Sequence, residues 1–429
     1  MLTPPAQPTA TRKSRVIAAA AVGTMLEWYD FSVYAALATW IAAAFFPTGT
    51  PGVSLLSALA VFGVGFLFRP LGAVAFGHIG DRYGRKEALA LTIIVMGVST
   101  ALLAVAPTHA TAGILGPVVL VVARCGQGFS GGGEFAGGAS FLIEHAPQGR
   151  RGFYGAIHYM ALIGGNLVGA GIVAGLSFSL TQAQMETWGW RVPFVIGAVA
   201  AFAGVYIRRR LGDTPVMEGA KKQDDIPRSP FIEALRSDGR AVLRGIGLVI
   251  GFTIMSYTYV NMQSYIVTVS DLSQGAAVAL YSLSLIVQLG VIGLFGRLSD
   301  RIGRKPVLIA GAALMVVATY PSFLLISSGS TGLILAGLML MAVAIAVYAG
   351  PFTTVITELM SRRTRYTALA VSYGFAVAVF GGTAGFVVAW LRQAMGSSLA
   401  PALFGVVAAV ITLITALTTR ETRFARLED

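Results

Sequence analysis

The sequence has few charged residues and almost no cysteine. Only 12% of its 429 residues are charged whereas 55% are hydrophobic, which excludes an ordinary soluble domain. Cys125 is the single cysteine, so an intrachain disulfide is excluded. The four histidines lack the spacing of a metal site, and the sequence contains no Gly-Lys-Ser or Gly-Lys-Thr. We therefore expect no metal centre, no built-in ATP site and no other cofactor.

Apolar segments dominate instead. They recur from end to end, and each is long enough to cross a hydrocarbon layer about 30 Å thick as a helix of roughly 20 residues. We predict an all-α polytopic membrane protein with twelve transmembrane helices, or spans, numbered 1 to 12 in chain order. Their approximate ranges are 17–46, 54–79, 88–107, 112–143, 153–180, 191–208, 241–268, 274–297, 306–327, 331–359, 366–395 and 399–418.

Basic residues are distributed unevenly between the two sides of this arrangement. Of the 31 Lys and Arg, all but Arg69, Arg124, Arg191 and Arg392 lie in the two tails or near the loops that follow even-numbered spans. Such a bias marks the cytoplasmic side. We therefore expect a multi-pass protein of the bacterial inner membrane with both termini in the cytoplasm. No exposed basic domain remains outside the spans, which argues against nucleic-acid binding.

One motif occurs twice, about half the chain length apart. It reads GHIGDRYGRK at 77–86 and GRLSDRIGRK at 296–305. An acidic residue followed by a basic pair also recurs with the same spacing, after spans 4 and 10. We infer two six-helix bundles, 1–208 and 241–429, joined by a polar cytoplasmic linker at 209–240.

Each copy of the motif has a physical interpretation. Glycine lets two helices turn tightly, Asp81 or Asp300 can sit at a helix start or pair with an arginine, and the basic cluster holds the loop at the anionic cytoplasmic face. We predict that the two loops form a cytoplasmic gate. Its residues are Gly77, Asp81, Arg82, Arg85, Lys86, Asp300, Arg301, Arg304 and Lys305.

The paired GxxxDRxGRK loops resemble the signature of the major facilitator superfamily. The stretches EWYDFSVY, GFLFRPLGA, RCGQGFSGGGEFAGG and EHAPQGRRGFY resemble more specifically its metabolite:proton symporter branch, whose members take up citrate, 2-oxoglutarate, shikimate or proline and betaine. The resemblance implies two pseudo-symmetric bundles around a central cavity, with alternating access. It also implies that spans 1 and 4 face the cavity together.

Ionisable side chains lie inside the spans of the first bundle. An ionised acid at a bilayer centre costs about 2.5–3.5 kcal/mol on insertion scales, so such residues usually have a function. We predict that Glu27, Asp30 and Glu134 include the proton carrier. Arg124 or Arg69 would pair alternately with these acids and with the substrate. The alternative is a permanent ion-pair network that fixes helix packing. Span 5 also contains His158, which we interpret as packed.

The second bundle offers polar and aromatic groups in place of charges. Spans 7 and 10 contain Tyr257, Asn261 and Tyr348, which would form a neutral hydrogen-bonding wall opposite the charged one. The predicted substrate-binding residues are Arg124, Arg69, Tyr34, Tyr257, Asn261 and Tyr348. Glycine pairs at 128–132, 133–137, 165–169 and 171–175 have the GxxxG spacing that lets helix backbones approach closely.

These features predict a secondary transporter that imports a small organic acid, such as a di- or tricarboxylate, with protons. Two buried arginines favour a carboxylate, and GFLFRPLGA and AVFGG resemble citrate and 2-oxoglutarate permeases. Two alternatives remain open: proton-coupled uptake of a zwitterionic osmolyte such as proline or betaine, and a proton-driven exporter of a drug or metabolite. Osmosensing members carry a long heptad-containing tail, which the residues after 418 do not resemble.

An enzyme is not expected, because no nucleophile and base can be paired and no metal set is present. As partners we expect a small-molecule substrate, a carboxylate by the first reading, together with protons and the lipid bilayer. The proton gradient would supply the energy. We expect a monomer.

Overall fold

The computed structural model describes residues 10–47, 51–209, 217–218, 229–425 and 427. These residues form an all-helical protein. We number the long helices α1 to α12 after the predicted spans they match. The predicted linker at 209–240 lies largely outside the described residues, and its last part forms the short helix Pro230–Ser237. The division into domains at these positions stays a prediction.

The helices of the first half agree with the predicted spans to within a few residues at most ends. They are α1 (Ala10–Ala36, resuming as Ala38–Phe45), α2 (Pro51–Leu67, resuming as Arg69–Arg82), α3 (Arg85–Val105), α4 (Leu115–Glu144), α5 (Arg151–Ser179) and α6 (Val192–Arg209).

The second half repeats this pattern. Its helices are α7 (Gly239–Val260, resuming as Met262–Val269), α8 (Gln274–Ile302), α9 (Arg304–Ile326), α10 (Thr331–Glu358), α11 (Arg365–Ala376, a π-helical turn at Val377–Gly381, then Gly382–Met395) and α12 (Ala400–Thr418).

The all-α membrane fold with twelve spans is confirmed. Within the described residues, ten helices are long and apolar enough to cross a membrane. The two that complete the set are α1 and α4, and these carry the buried charges Glu27, Asp30, Arg124 and Glu134. Charge therefore replaces apolar surface in the helices that enclose the candidate site.

The two halves meet along two equivalent seams. One joins α2 to α11, and the other joins α5 to α8 and α10. Both seams are closed on the face that carries the two GRK clusters, which we call the basic face. Glycine makes the close approach possible: a Cβ added at Gly77 of α2 would lie 2.9 Å from the Cα of Thr367 in α11.

In each motif, the glycine that directly precedes Arg-Lys lies at the turn between two helices. Gly84 between α2 and α3 has φ 136°, and Gly303 between α8 and α9 has φ 110°. L residues with a side chain rarely adopt this backbone conformation. The tight turn expected from GxxxDRxGRK is therefore confirmed, and it is made by the glycine of the GRK triplet.

Three of the four GxxxG pairs lie at close helix contacts. Gly128 and Gly132 of α4 pack on the backbone of α2, and a Cβ at Gly128 would collide with the carbonyl oxygen of Gly65. The fourth pair was wrongly assigned to packing. Nothing lies within 4 Å of a Cβ added at Gly171 or Gly175, because this part of α5 turns those positions away from its neighbours.

Gly128→Ala should destabilise the protein by about 1–3 kcal/mol, because the added methyl forces α2 and α4 apart. Gly171→Ala is the matched control and should stabilise α5 slightly, by about 0.5–1 kcal/mol, through helix propensity alone. Thermal unfolding of the purified variants in detergent measures both. Equal melting temperatures for the two variants would contradict the close packing of α2 on α4.

Candidate functional site

The first buried ion pair joins Glu27 of α1 to Arg69 of α2. Arg69 follows the break in α2 at Phe68, and Arg69 Nη2 lies 2.5 Å from Glu27 Oε1, with both side chains fully buried. Gly131 of α4 makes room for the pair, since a Cβ there would lie 2.8 Å from Glu27 Oε1. Glu27 Oε2 and the Nε and Nη1 of Arg69 have no hydrogen-bond partner among the described residues. This pair is therefore only partly satisfied.

Asp30 lies one turn further along α1 and contacts a different set of groups. Its Oδ2 accepts hydrogen bonds from Thr100 Oγ1 of α3 and, at 3.1 Å, from Gln127 Nε2 of α4. Gln127 Oε1 in turn accepts from Arg124 Nη1 at 2.6 Å. Asp30 thus reaches Arg124 through Gln127. Sequence reasoning missed Thr100 and Gln127, although Gln127 is a polar residue three positions after Arg124 in the same span.

Arg124 is surrounded by aromatic rings of the first half. Its guanidinium carbon lies 4.3 Å from the ring centroid of Tyr34, 4.9 Å from Phe62 and 5.0 Å from Phe31. The Tyr34 hydroxyl donates to the Ala58 carbonyl oxygen at 3.0 Å. Cations are stabilised over aromatic faces. Tyr34 therefore contacts Arg124 directly, within the first half.

Glu134 has a partner that the sequence did not predict. Arg208, near the end of α6, holds it with two hydrogen bonds, Nη2 to Oε1 at 2.5 Å and Nη1 to Oε2 at 3.0 Å, and Thr92 also donates to it. We expected Arg69 or Arg124 in this place. Such a bidentate pair fits the alternative of a fixed packing network. In the sequence analysis Arg208 is one of the basic residues near the loops that follow even-numbered spans.

The predicted wall of the second half is only partly present. Tyr257 reaches across the seam, with its ring 5.6 Å from Trp28 and 5.5 Å from Phe66. Asn261 Nδ2 donates to the Tyr257 carbonyl oxygen at 2.7 Å, and the Tyr348 hydroxyl donates to the Leu248 carbonyl oxygen at 2.9 Å. Asn261 and Tyr348 are thus engaged with backbone carbonyl groups of their own half.

His158 of α5 is packed, as the sequence interpretation expected. Its ring is fully buried, lies edge-on to Phe135 at a centroid distance of 4.8 Å, and its Nε2 is 3.1 Å from Thr24 Oγ1. Phe135 in turn stacks on Tyr373 of α11 at 3.6 Å. At the midplane, where the sequence predicts a cavity, side chains of the two halves are in contact in this structure.

The two motif aspartates bind helix N-termini of the opposite half. Asp81 accepts from the backbone N–H groups of Tyr366 and Thr367, at 3.2 and 2.8 Å, at the start of α11. Asp300 accepts from Gly152 and Phe153, at 2.8 and 3.0 Å, at the start of α5. The first N–H groups of a helix have no partner within the helix and carry partial positive charge, so a carboxylate there is stabilising.

A chain of ion pairs extends each aspartate, and the two chains match. Arg85 contacts Asp81 and Glu144, and Arg365 Nη1 lies 3.1 Å from Glu144 Oε1. In the other copy, Arg304 contacts Asp300 at 3.1 Å and Glu358 at 3.5 Å, and Arg151 lies 3.7 Å from Glu358. The other predicted gate residues, Arg82, Lys86, Arg301 and Lys305, are exposed or half-buried at the rim.

The segment after α12 crosses this network. We call its residues 421–425 and 427 the strap. Glu421 accepts from the backbone N–H groups of Arg304 and Lys305, both at 3.0 Å, and Thr422 Oγ1 donates to Glu358 Oε2 at 2.7 Å. Further along, the Ala425 carbonyl oxygen accepts from Arg151 Nη1 at 2.7 Å, and that of Leu427 accepts from Arg365 Nη2 at 2.8 Å. Sequence reasoning missed this strap because no periodic pattern marks it.

Two helical halves that carry a repeated motif, enclose buried charges and close on one face are typical of a membrane transporter. The chain belongs to the Major Facilitator Superfamily, whose sequence profile matches residues 20–382. It is a transporter and not an enzyme.

Several characterised proteins are similar to it. The proline/betaine transporter of Escherichia coli (strain K12) is 36% identical over 418 residues, which are 95% of this chain and 83% of that protein. The glycine betaine/proline/ectoine/pipecolic acid transporter OusA of Dickeya dadantii (strain 3937) is 37% identical over 421 residues, or 96% of this chain and 84% of that one. The solved structure of the proton:xylose symporter XylE shares the fold, with a TM-score of 0.79, 98% of both chains covered and 17% identity.

These relatives correct one expectation. The likeness to citrate and 2-oxoglutarate permeases is not supported, since the similar proteins are named for proline and betaine. GFLFRPLGA and AVFGG therefore do not specify a di- or tricarboxylate.

Asp300→Ala should open the basic face. The variant loses a carboxylate that accepts two backbone hydrogen bonds, each worth about 1.5–3 kcal/mol when charged, so the open population should rise about tenfold or more. Thr354→Cys in a Cys125→Ser background reports this opening, because Thr354 is buried at the seam and donates to the Arg151 carbonyl oxygen. Maleimide should label the cysteine at position 354 faster when Asp300→Ala is added. Asp271→Ala, which removes an exposed acid, should leave the labelling rate unchanged. Identical rates in both would argue against the gate.

The strap should stabilise the closed gate in a pH-dependent way. Burial raises the pKa of the Glu421 carboxyl, but backbone N–H donors from Arg423, Arg304 and Lys305 outweigh this effect. The pKa therefore lies below its ordinary value of 4.5. A carboxyl whose pKa is depressed by folding stabilises the folded state at any pH above its ordinary pKa. This stabilisation is lost as the pH falls. Glu421→Gln should therefore melt lower than wild type at pH 7, and the difference should shrink below pH 4.5. The control is Glu186→Gln, whose melting temperature should match wild type at both pH values; a pH-independent deficit in Glu421→Gln would count against this role.

Proposed function

We propose that the protein is a proton-coupled symporter that takes up a small zwitterionic osmolyte of the proline or betaine type. Its similarity to transporters named for these solutes covers almost the whole chain and supports this substrate class over a di- or tricarboxylate. The organic-acid reading rested on two buried arginines, which serve equally well for the carboxylate of a zwitterion.

The observation that carries the proposal is the half-satisfied pair of Glu27 and Arg69. Both side chains are fully buried, and each retains polar atoms without a partner among the described residues. A zwitterion presents a carboxylate and a cation a few ångströms apart. The unpartnered Arg69 Nε and Nη1 offer two donors for that carboxylate, and Glu27 Oε2 offers an acceptor for a proton or an ammonium group.

Competition for Arg69 links substrate to protons. When the substrate carboxylate engages Arg69, Glu27 loses part of its counter-charge, and an uncompensated carboxylate is costly in a buried site. Binding of substrate then favours uptake of a proton by Glu27. Asp30, which retains one unpartnered oxygen, is the second candidate carrier. Glu134 has the least freedom, because Arg208 and Thr92 occupy both of its oxygens.

Alternating access would follow from the gate. The positive-inside bias assigns the basic face to the cytoplasm, with both termini on that side of a bacterial inner membrane. This structure, closed on the basic face and with the two halves in contact at the midplane, would then correspond to a state in which release to the cytoplasm is blocked. Release would require the Asp81 and Asp300 contacts, and the strap after α12, to part. A monomer contains every group named in this scheme.

Purified protein in liposomes with an inward proton gradient should accumulate radiolabelled proline and glycine betaine but not 2-oxoglutarate or citrate. Glu27→Gln should lose gradient-driven accumulation at least about tenfold, yet keep exchange of internal for external substrate, because the neutral amide removes the proton step and leaves Arg69 for binding. Arg69→Ala should lose both, and Glu186→Gln serves as the control.

Three results would redirect the scheme. Accumulation of citrate or 2-oxoglutarate without proline or betaine would restore the organic-acid reading. Full gradient-driven uptake by Glu27→Gln would move the proton carrier to Asp30, to be checked with Asp30→Asn. Efflux of an unrelated solute against its gradient, with no uptake of either class, would replace the symporter by an exporter.

A further inference from the structure

Four aromatic rings form a continuous cluster beside Arg69 at the midplane. Ring centroids lie 6.2 Å apart for Trp28 and Phe31, 5.2 Å for Phe31 and Phe66, 5.5 Å for Phe66 and Tyr257, and 5.6 Å for Tyr257 and Trp28. All four side chains are buried. Three of the rings belong to the first half and one to the second, so the cluster bridges the seam.

The cluster already accommodates one cation. The guanidinium carbon of Arg69 lies 4.9 Å from the ring centroid of Phe31 and 5.0 Å from that of Phe66. Among the described residues no Lys or Arg is placed over Trp28 or Tyr257 in the same way. The two remaining rings include Trp28, the aromatic type that binds cations most strongly.

Unsatisfied polar atoms belong to the cluster and to the ion pair beside it. Glu27 Oε2, the Nε and Nη1 of Arg69, and the Tyr257 hydroxyl are all buried and have no hydrogen-bond partner among the described residues. Buried polar groups in folded proteins are nearly always paired, and exceptions mark sites of function. The Arg69 donors for a carboxylate therefore lie beside Phe31 and Phe66, and the aromatic faces of Trp28 and Tyr257 belong to the next rings of the same cluster.

The π-helical turn of α11 packs closely against the cluster, and its glycines make this approach possible. Tyr257 packs against the π-helical turn of α11, where a Cβ added at Gly381 would lie 3.0 Å from Tyr257 Cε2. A π-turn inside an α-helix is frequently found at functional sites. Because the Trp28 to Tyr257 contact crosses the seam, parting of the halves separates these two rings and exposes their faces.

We propose that Trp28 and Tyr257 form the recognition site for a quaternary ammonium group, with Arg69 holding the carboxylate of the same molecule. This assignment rests on the proposed function and specifies which part of the substrate each residue reads. A quaternary ammonium has no N–H to donate, so carboxylates and amides recognise it poorly, whereas aromatic faces attract it electrostatically. A secondary ammonium such as that of proline can also donate to Glu27 Oε2, and so depends less on the rings.

The test is inhibition of proline uptake in liposomes by a series of carboxylates with one, two or three N-methyl groups: sarcosine, dimethylglycine and glycine betaine. In wild type, inhibition should strengthen with each methyl group. Relative to the KM of the same variant for proline, Trp28→Leu should raise the glycine betaine concentration for half-inhibition about tenfold and should flatten the series. Tyr257→Leu should behave likewise, and Tyr257→Phe, which keeps the ring, should not. Trp40→Leu, on the same helix but outside the cluster, is the matched control.

A second measurement keeps the proposal testable if Trp28→Leu does not fold. Fluorinated tryptophans placed at position 28 withdraw charge from the ring face with little change in shape, so glycine betaine should bind more weakly with each fluorine while proline does not. An equal loss for every member of the series would show that the rings only pack the seam, and would overturn the proposal. Wild type that takes up neither proline nor betaine would instead overturn the proposed function itself.

Discussion

Closure of the two halves depends on one repeated interaction, a carboxylate from one half bound to the N-terminus of a helix in the other. In a membrane protein the free N–H groups of a helix start must find a partner, and Asp81 and Asp300 supply it for α11 and α5. Because the acceptor and the donors belong to different halves, separation leaves both unsatisfied unless water replaces the contact. The surrounding ion pairs and the strap after α12 add to the same closed state.

The gate is symmetric, but the candidate site is not. The second segment of α2 has Arg69 at its first residue and Asp81 near its end, so twelve residues, or about 18 Å of helix, connect the buried charge to the gate. The matching position in α8 is Gln288, which is also buried but neutral. Under the proposed scheme, a change of partner at Arg69 would act on one seam directly, through a helix segment that contacts α11.

Buried acids of the first half differ in how completely they are satisfied. Glu134 is held by two hydrogen bonds from Arg208 and one from Thr92, whereas Glu27 has a single contact with Arg69. A fully hydrogen-bonded ion pair holds helices in place, and breaking it is costly. An incompletely satisfied pair can exchange partners at a lower cost. This difference supports the proposed proton-coupling role for Glu27 and a packing role for Glu134, two acids that look alike in the sequence.

Hydropathy, the repeated motif and the buried charges determined much from the sequence alone: twelve spans, the tight turns of the two GxxxDRxGRK loops and the helices that bear the charges. These properties are local, since each depends on residues within one helix or loop. Tertiary structure decided the partners. It paired Glu134 with Arg208, connected Asp30 to Arg124 through Gln127, turned Asn261 and Tyr348 onto backbone of their own half, and brought Trp28 to Tyr257. Partner choice depends on how each helix is rotated and where the halves meet, and neither property is encoded in the spacing of residues along one span.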